Sequence, residues 1–227
     1  MVLTPGSTWM MTRHYFSVVS GIVLFLSLWG FSDNLIWDIQ QPSNKNPMFV
    51  IHGLFCLAWM AAFFAQSLLV RSGNVALHRI AGVYGLAAAT GVSLSTLWVF
   101  IHVWQGWDAM PYYAQANRLL LPSFSLLVLL AWLNRTRPDI HKRLMYLGTL
   151  YLLEPILSRS FDPLEPLLTN FSATEIDYYW MIFTVAVWNL LFVSLFVYDR
   201  LTSLRVHPVS IAGYVWFYVI WGMTAAL

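Results

Sequence analysis

Arg137–Met145 reads RPDIHKRLM. These residues close a polar connection and open an apolar run. Three fixed positive charges, Arg137, Lys142 and Arg143, stand beside His141 where that run begins. An apolar run entered through a basic cluster marks a helix that starts at a membrane surface. The run continues through LEPILSR, which carries two more ionisable groups, Glu154 and Arg159. Outward from here the chain repeats the arrangement, with apolar runs whose histidines and arginines gather at one set of ends.

Composition agrees with that reading. The chain is 59% hydrophobic and 10% charged, against about 25% charged in an ordinary soluble domain. A protein this apolar has too little polar surface to face water and needs lipid as solvent. The net charge of +2 says little as a total; its placement carries the information. Nothing in it points to a nucleic-acid partner. The single cysteine, Cys56, lies inside an apolar run, so no intramolecular disulfide forms. The amino-terminal MVLTPGSTWMMTRH has one arginine, and no small-residue cleavage site follows the first apolar run, which reads as a retained span.

Seven apolar runs can be marked, at about Tyr15–Trp37, Pro47–Val70, Ile80–Trp104, Leu119–Leu133, Leu144–Ser158, Ile176–Tyr198 and Ile211–Leu227. About 20 apolar residues cross a bilayer as a helix, and backbone in lipid must satisfy its own hydrogen bonds. The expectation is therefore an all-α, polytopic transmembrane bundle of about seven spans in a single domain. The fourth and fifth runs are short and must borrow flanking residues.

The joints after runs two, four and six hold Arg71 and Arg79; Arg135, Arg137, Lys142 and Arg143; Arg200 and Arg205. Arg13 precedes run one. The alternate joints hold Asp33, Asp38, Asp108, Asp162, Glu165, Glu175 and Asp177. In a seven-span zigzag every basic joint falls on one side, which the positive-inside rule makes cytoplasmic. The amino-terminus is then inside and the carboxyl-terminus outside. Trp37, Trp104, Trp107, Tyr112, Tyr113 and Tyr178–Trp180 fall at the outer boundary, as an aromatic belt would. Run three is rich in small residues, from Ala81 to Ser95, and is expected to be the central packing helix.

Three constellations could carry chemistry. His52 and His102 lie toward the outer ends of two sequence-adjacent runs, where they could ligate a haem iron or a smaller metal, or sit as interfacial histidines with tips toward headgroups. His52, Trp59 and Gln66 are spaced to share one helix face, which is either a lined pathway or a packing face. At the cytoplasmic ends, His78, His141, His207 and Asp199 form a donor set suited to zinc, iron or manganese, while His14 lies nearby in the zigzag. Arg79 and Arg143 beside that set favour an anion instead, such as a phosphate, a lipid headgroup or a haem propionate. Glu154 lies inside run five, followed by Pro155, which tends to kink the helix. A carboxylate at that depth by default suggests function, with Arg159 or Arg118 as its expected partner. HExxH, GxSxG and GxxxxGK[ST] are missing, and no lysine lies mid-span for a retinal Schiff base.

HGLFCLAWMAAFFAQSLLVRSGNVALHRIAG, then RPDIHKRLM, then YDRLTSLRVHP, resembles a family of bacterial multi-pass membrane proteins to which no reaction is assigned. Its pattern is matched by His52, Trp59, Gln66, His78, Arg79, Gly82, Arg137, His141, Arg143, Arg159, Asp199, His207 and Pro208, across runs two to seven. The resemblance implies a seven-helix protein of the bacterial inner membrane. The His-bearing bundle is also similar in general plan to di-haem b-type membrane cytochromes. It departs from them in placing His78 and His141 at boundaries beside arginines. The leading expectation is a membrane redox protein binding haem b or a transition metal. Its rivals are a non-catalytic accessory subunit of a larger membrane complex, a lipid- or small-molecule-binding module, and a transporter using Glu154; membrane lipids, other membrane subunits or further copies of the chain are the expected partners.

Overall fold

A computed structural model describes the backbone of residues 5–225 and the side chains of residues 13–164 and 167–225. Leu227, where the seventh run was expected to end, and the Glu165 side chain lie outside the described residues. The architecture is helical throughout the described residues: α1 (Pro5–Gly30), a π turn at Asp33–Trp37, a single turn α2 (Pro42–Lys45), α3 (Pro47–Arg71), α4 (Val75–His102), α5 (Tyr112–Leu133), α6 (Pro138–Tyr151), α7 (Glu154–Phe161), a 3-10 stretch at Asp162–Leu168, α8 (Ala173–Ser203) and α9 (Pro208–Ala225). Five of these, α3, α4, α5, α8 and α9, are long and apolar enough to cross a membrane, which suggests a multi-pass membrane protein.

Local chemistry sets the boundaries. Asn46 caps α3 by accepting from the Met48 amide at 3.0 Å, with Pro47 pre-set for the first turn. Ser72–Asn74 reverses the chain in one tight turn, where Gly73 adopts φ +80°, a conformation costly for a residue with a Cβ. Asn74 then caps α4 through Leu77. Ser172 and Glu175 form a reciprocal capping box at the start of α8. The fourth run does borrow its flank, since α5 begins at Tyr112 rather than Leu119. The first ends early, and Asp33–Trp37 becomes a separate turn.

The fifth run differs most from expectation. It starts at Pro138, within the RPDIHKRLM stretch, and breaks at Leu152–Leu153 into α6 and α7. Pro155 has no N–H to give the Tyr151 carbonyl and its ring crowds that carbonyl, so the chain closes α6 with tighter bonds, Leu152 to Thr149 and Leu153 to Leu150, and starts again at Glu154 with the proline in the first turn. The Trp188 indole gives the Leu150 carbonyl a second donor at 3.2 Å, tying the break to α8.

The buried centre is α6, not α4 as the small residues had suggested. Arg143, Leu144 and every residue from Tyr146 to Tyr151 are buried. α4 does pack along α3 through Gly85, Ala88, Ala89, Gly91 and Ser95, but Val83, Tyr84, Leu94, Trp98 and Ile101 on its other side are exposed. The reason is solvation. A helix touching lipid must be apolar on that face, whereas one ringed by protein can carry polar groups that its neighbours satisfy. α5 and α9 pack on α6, α1 and α8 pack on α7, and α1 also packs on α3. Backbones approach closely where α1 meets α7: a Cβ on Gly30 would lie 3.0 Å from the Ile156 carbonyl and the Ser160 amide.

Candidate functional site

Two sets of helix ends are gathered by these contacts. At the basic end stand the C-termini of α3, α5 and α8 and the N-termini of α4, α6 and α9. Its centre is an ion pair. Arg143 on α6 and Asp199 on α8 are 2% and 0% exposed. Arg143 Nε donates to Asp199 Oδ1 at 2.8 Å, Nη2 donates to the same oxygen, and Nη1 donates to the Asp139 carbonyl. Asp199 Oδ2 accepts from the His207 amide at 2.9 Å and the Ser210 hydroxyl at 2.7 Å. One carboxylate thus ties α6, α8 and the start of α9 together, and both its oxygens are engaged. Arg143, expected to hold a cofactor, serves this pair.

His207 stands beside it, with Nε2 3.8 Å from Asp139 Oδ2 and Nδ1 accepting from the Val209 amide. Burial, followed by the Arg143 charge, holds its imidazole below the ordinary histidine value, against the opposing pull of Asp199 and Asp139. Lys142 donates to the Tyr198 hydroxyl at 2.8 Å and lies over the Phe16 and Tyr198 rings. Tyr15 stacks on Tyr198, with Ser194 2.8 Å from its hydroxyl, and Tyr146 donates to the Leu191 carbonyl. This seam of tyrosines was not singled out from the sequence, because tyrosine at a helix end reads equally well as part of an interfacial belt.

A second constellation pairs His78 on α4 with His141 on α6. Their rings meet edge to face with centroids 6.3 Å apart. His141 Nδ1 lies 2.9 Å from the Ala131 carbonyl on α5. A carbonyl only accepts, so Nδ1 carries the proton and Nε2 of the neutral ring keeps a lone pair. Gln66 on α3, with its amide oriented to suit its neighbours, donates to the His78 carbonyl at 3.0 Å and to His78 Nδ1, and accepts from the Gly82 amide at 3.2 Å. Four helices therefore hold the two imidazoles, with Arg79 exposed at the rim.

The remaining expected site residues separate. Among the described residues, no three of His, Cys, Asp and Glu are placed to hold one metal ion. The four-donor set of His78, His141, His207 and Asp199 is thus divided between the imidazole pair and the ion-pair network. His52 points into the α3–α4 seam, 3.2 Å from the Ser95 hydroxyl, while His102 is exposed at the end of α4. The rotation of each helix about its axis, which apolar runs do not specify, sets them apart. Midway along the His52, Trp59 and Gln66 face, Trp59 is 2% exposed and packs edge-on against Phe124.

At the opposite end, Glu154 is buried but meets neither expected arginine. Its Oε2 accepts from Asn117 Nδ2 on α5 at 2.6 Å. Arg159 instead pairs with Asp33 at 3.2 Å. Arg118 donates to the Phe100 carbonyl at 2.9 Å and lies over the Phe100 and Trp104 rings. Charge complementarity pointed to an arginine, yet a neutral amide one residue earlier on the same helix has the reach. In comparison with known proteins, the chain matches no family model, no curated protein and no solved structure.

Proposed function

We propose that this chain is a seven-segment protein of the bacterial inner membrane whose basic end faces the cytoplasm and whose His78–His141 pair binds a transition-metal ion or a haem iron. Two further segments complete the seven: α1, and α6 with α7 taken together. The amino-terminus is then inside and the carboxyl-terminus outside, in keeping with the positive-inside rule.

The observation that carries the reading is the way His141 is held, with His78 beside it. Histidines that ligate metals almost always give their second nitrogen to a carbonyl or another hydrogen-bonding partner, which fixes the ring and its tautomer. His141 does this with the Ala131 carbonyl. Two imidazoles on one ion, at metal–nitrogen bonds of about 2.0–2.1 Å, have ring centroids roughly 5–6.5 Å apart, and the observed separation is 6.3 Å. Ligation by His78 through Nε2 would place its proton on Nδ1, and Gln66 would then have to release that nitrogen while keeping its bonds to the His78 carbonyl and the Gly82 amide. Imidazole donors suit zinc, copper, iron and nickel. A redox role follows if the ion is iron or copper.

The test is an absorption spectrum with metal analysis on the full chain purified in detergent, oxidised and reduced. A Soret band that sharpens on reduction, or a stoichiometric metal, supports the reading when it is lost in His78→Ala and in His141→Ala while both variants stay folded. A colourless, metal-free protein overturns it. A second reading draws on the exposed guanidinium groups of Arg79 and Arg137 at the same end: a non-catalytic module or accessory subunit that holds anionic headgroups. Co-purifying anionic lipid or a stoichiometric membrane partner, without metal, would favour it.

A further inference from the structure

Arg118 on α5 is a cation for which the chain supplies no counter-charge. Arg143 faces Asp199, and Arg159 faces Asp33 and Asp162. Among the described residues, no carboxylate lies within ion-pair distance of Arg118. It stands toward the end opposite the basic cluster, where α5 begins and α4 ends, and is half-buried. An uncompensated charge inside a membrane-embedded bundle is costly and by default marks a site.

Its neighbours hold it in place without neutralising it. Nη2 donates to the Phe100 carbonyl at 2.9 Å, and Nε to the Met110 sulfur at 3.1 Å. The guanidinium carbon lies 4.6 Å from the centre of the Phe100 ring and 4.8 Å from that of Trp104. Each Nη carries a pair of N–H donors. Both of those on Nη1, and the second on Nη2, have no partner among the described residues. That edge is the one with which arginine grips two oxygens of a phosphate at once.

Arg118 is also the charged wall of a groove of about 370 Å³, whose other walls are Leu97, Phe100, Ile101 and Trp104. Sites for organic molecules measure roughly 300–1,000 Å³, so the groove has room for more than a lone ion. Below it, Ile101, Leu97 and Leu94 are 69%, 50% and 64% exposed and follow one another along one face of α4 toward mid-membrane. An anion above and an alkyl chain below is the build of a phospholipid. Its headgroup is selected as well. No carboxylate lines the groove to receive an ammonium. The Phe100 and Trp104 rings, which could receive one, already carry the guanidinium, whose charge repels a second cation. A headgroup whose sole charge is its phosphate therefore fits better than a zwitterionic one. We propose that this groove holds a phospholipid of the phosphatidylglycerol type, with its phosphate on Arg118 and one acyl chain along α4. The site lies apart from Arg79 and Arg137 and shares with the metal reading only the placement in a membrane.

The test is photolabelling of the full chain in phosphatidylcholine nanodiscs. The probe is a trace phosphatidylglycerol with a diazirine high in one acyl chain, and a phosphatidylcholine with the same diazirine is its control. After illumination and proteolysis, mass spectrometry maps the adducts. The phosphatidylglycerol probe should label the segment from Leu94 to Trp104, and unlabelled phosphatidylglycerol should displace it. The phosphatidylcholine probe should label that segment about tenfold less. Arg118→Gln should cut the phosphatidylglycerol labelling about tenfold, the least expected for hydrogen bonds to a charged group. Arg118→Lys keeps the charge but not the fork and should fall between. The proposal is overturned by equal labelling from the two probes, or by equal labelling in parent and Arg118→Gln. Displacement by inorganic phosphate as complete as by unlabelled lipid overturns it too, since the ligand would then be a soluble anion. Should Arg118→Gln fail to fold, an Arg118→Lys variant that labels like the parent overturns it equally.

Discussion

The two ends of the bundle differ in how many buried polar atoms they leave without a partner. At the basic end, Arg143, Asp199, Ser210, Lys142, Tyr146 and Tyr15 all have partners across helices. Toward the opposite end, Asp33 Oδ1, Asn34 Oδ1, Gln115 Oε1, Thr184 Oγ1 and Trp221 Nε1 are buried among the described residues without one. Of the atoms in that state, Trp59 Nε1 lies between the two ends. In a low-dielectric interior, a satisfied network fixes one arrangement of helices, and an unsatisfied group raises the free energy until something binds it. The basic end is therefore the clamp of the fold, and the opposite half is the less tightly determined one.

The strongest way to break this contrast is Asp199→Asn. It leaves the Arg143 charge buried with no counter-charge, and removing one partner of a buried pair costs about 3–5 kcal/mol. Thermal unfolding in detergent should drop sharply. Replacing both residues, as Arg143→Met with Asp199→Leu, should recover much of the loss. If Asp199→Asn melts with the parent, the clamp is elsewhere.

Glu154 probes the other half at smaller scale. Glu154→Gln keeps an oxygen for Asn117 and should change stability little. Glu154→Ala strands the Asn117 amide and should cost about 1–3 kcal/mol. Equal melting of the two variants would show that the hydrogen bond adds nothing.

Acidification separates the halves further. The folded His207 imidazole lies below its ordinary value, so the unfolded chain takes up the proton first. The stability it contributes is complete above about pH 6.5 and is lost as pH falls toward the lower folded value. A melting temperature that declines below that pH, and declines less in His207→Gln, is the expected result, and an unaltered slope would refute it. Arg159→Gln should matter least. Its pair with Asp33 is 36% and 39% exposed, and such pairs contribute about 0–1 kcal/mol; a melting shift as large as that of Glu154→Ala would contradict the assignment.

Much of the fold was legible because lipid imposes simple arithmetic. Alternating basic and acidic joints separated the two sets of ends, and the contacts of His141, Asp199 and His207 gather the basic set as that alternation requires. Pro155 announced the interruption of run five, although not its position two residues earlier. What stayed hidden depends on rotation and reach. Nothing in the spacing of His52 and His102 states that one faces a seam and the other faces out. Asn117 carries no charge and so gave no reason to be matched with Glu154. The central place of α6 had a signal that was passed over: it is among the shortest and least apolar of the runs, and a segment poor in lipid-compatible surface belongs inside a bundle.

The ion pair at the clamp also orders biosynthesis. Arg143 leaves the ribosome 56 residues before Asp199, which at about 5–20 residues per second is roughly 3–11 s. During that interval the least apolar hairpin of the chain, α5 with α6, is made without its counter-charge. Until α8 has been made, the Arg143 guanidinium has no carboxylate to meet. The end of α8 is therefore the latch that completes the clamp.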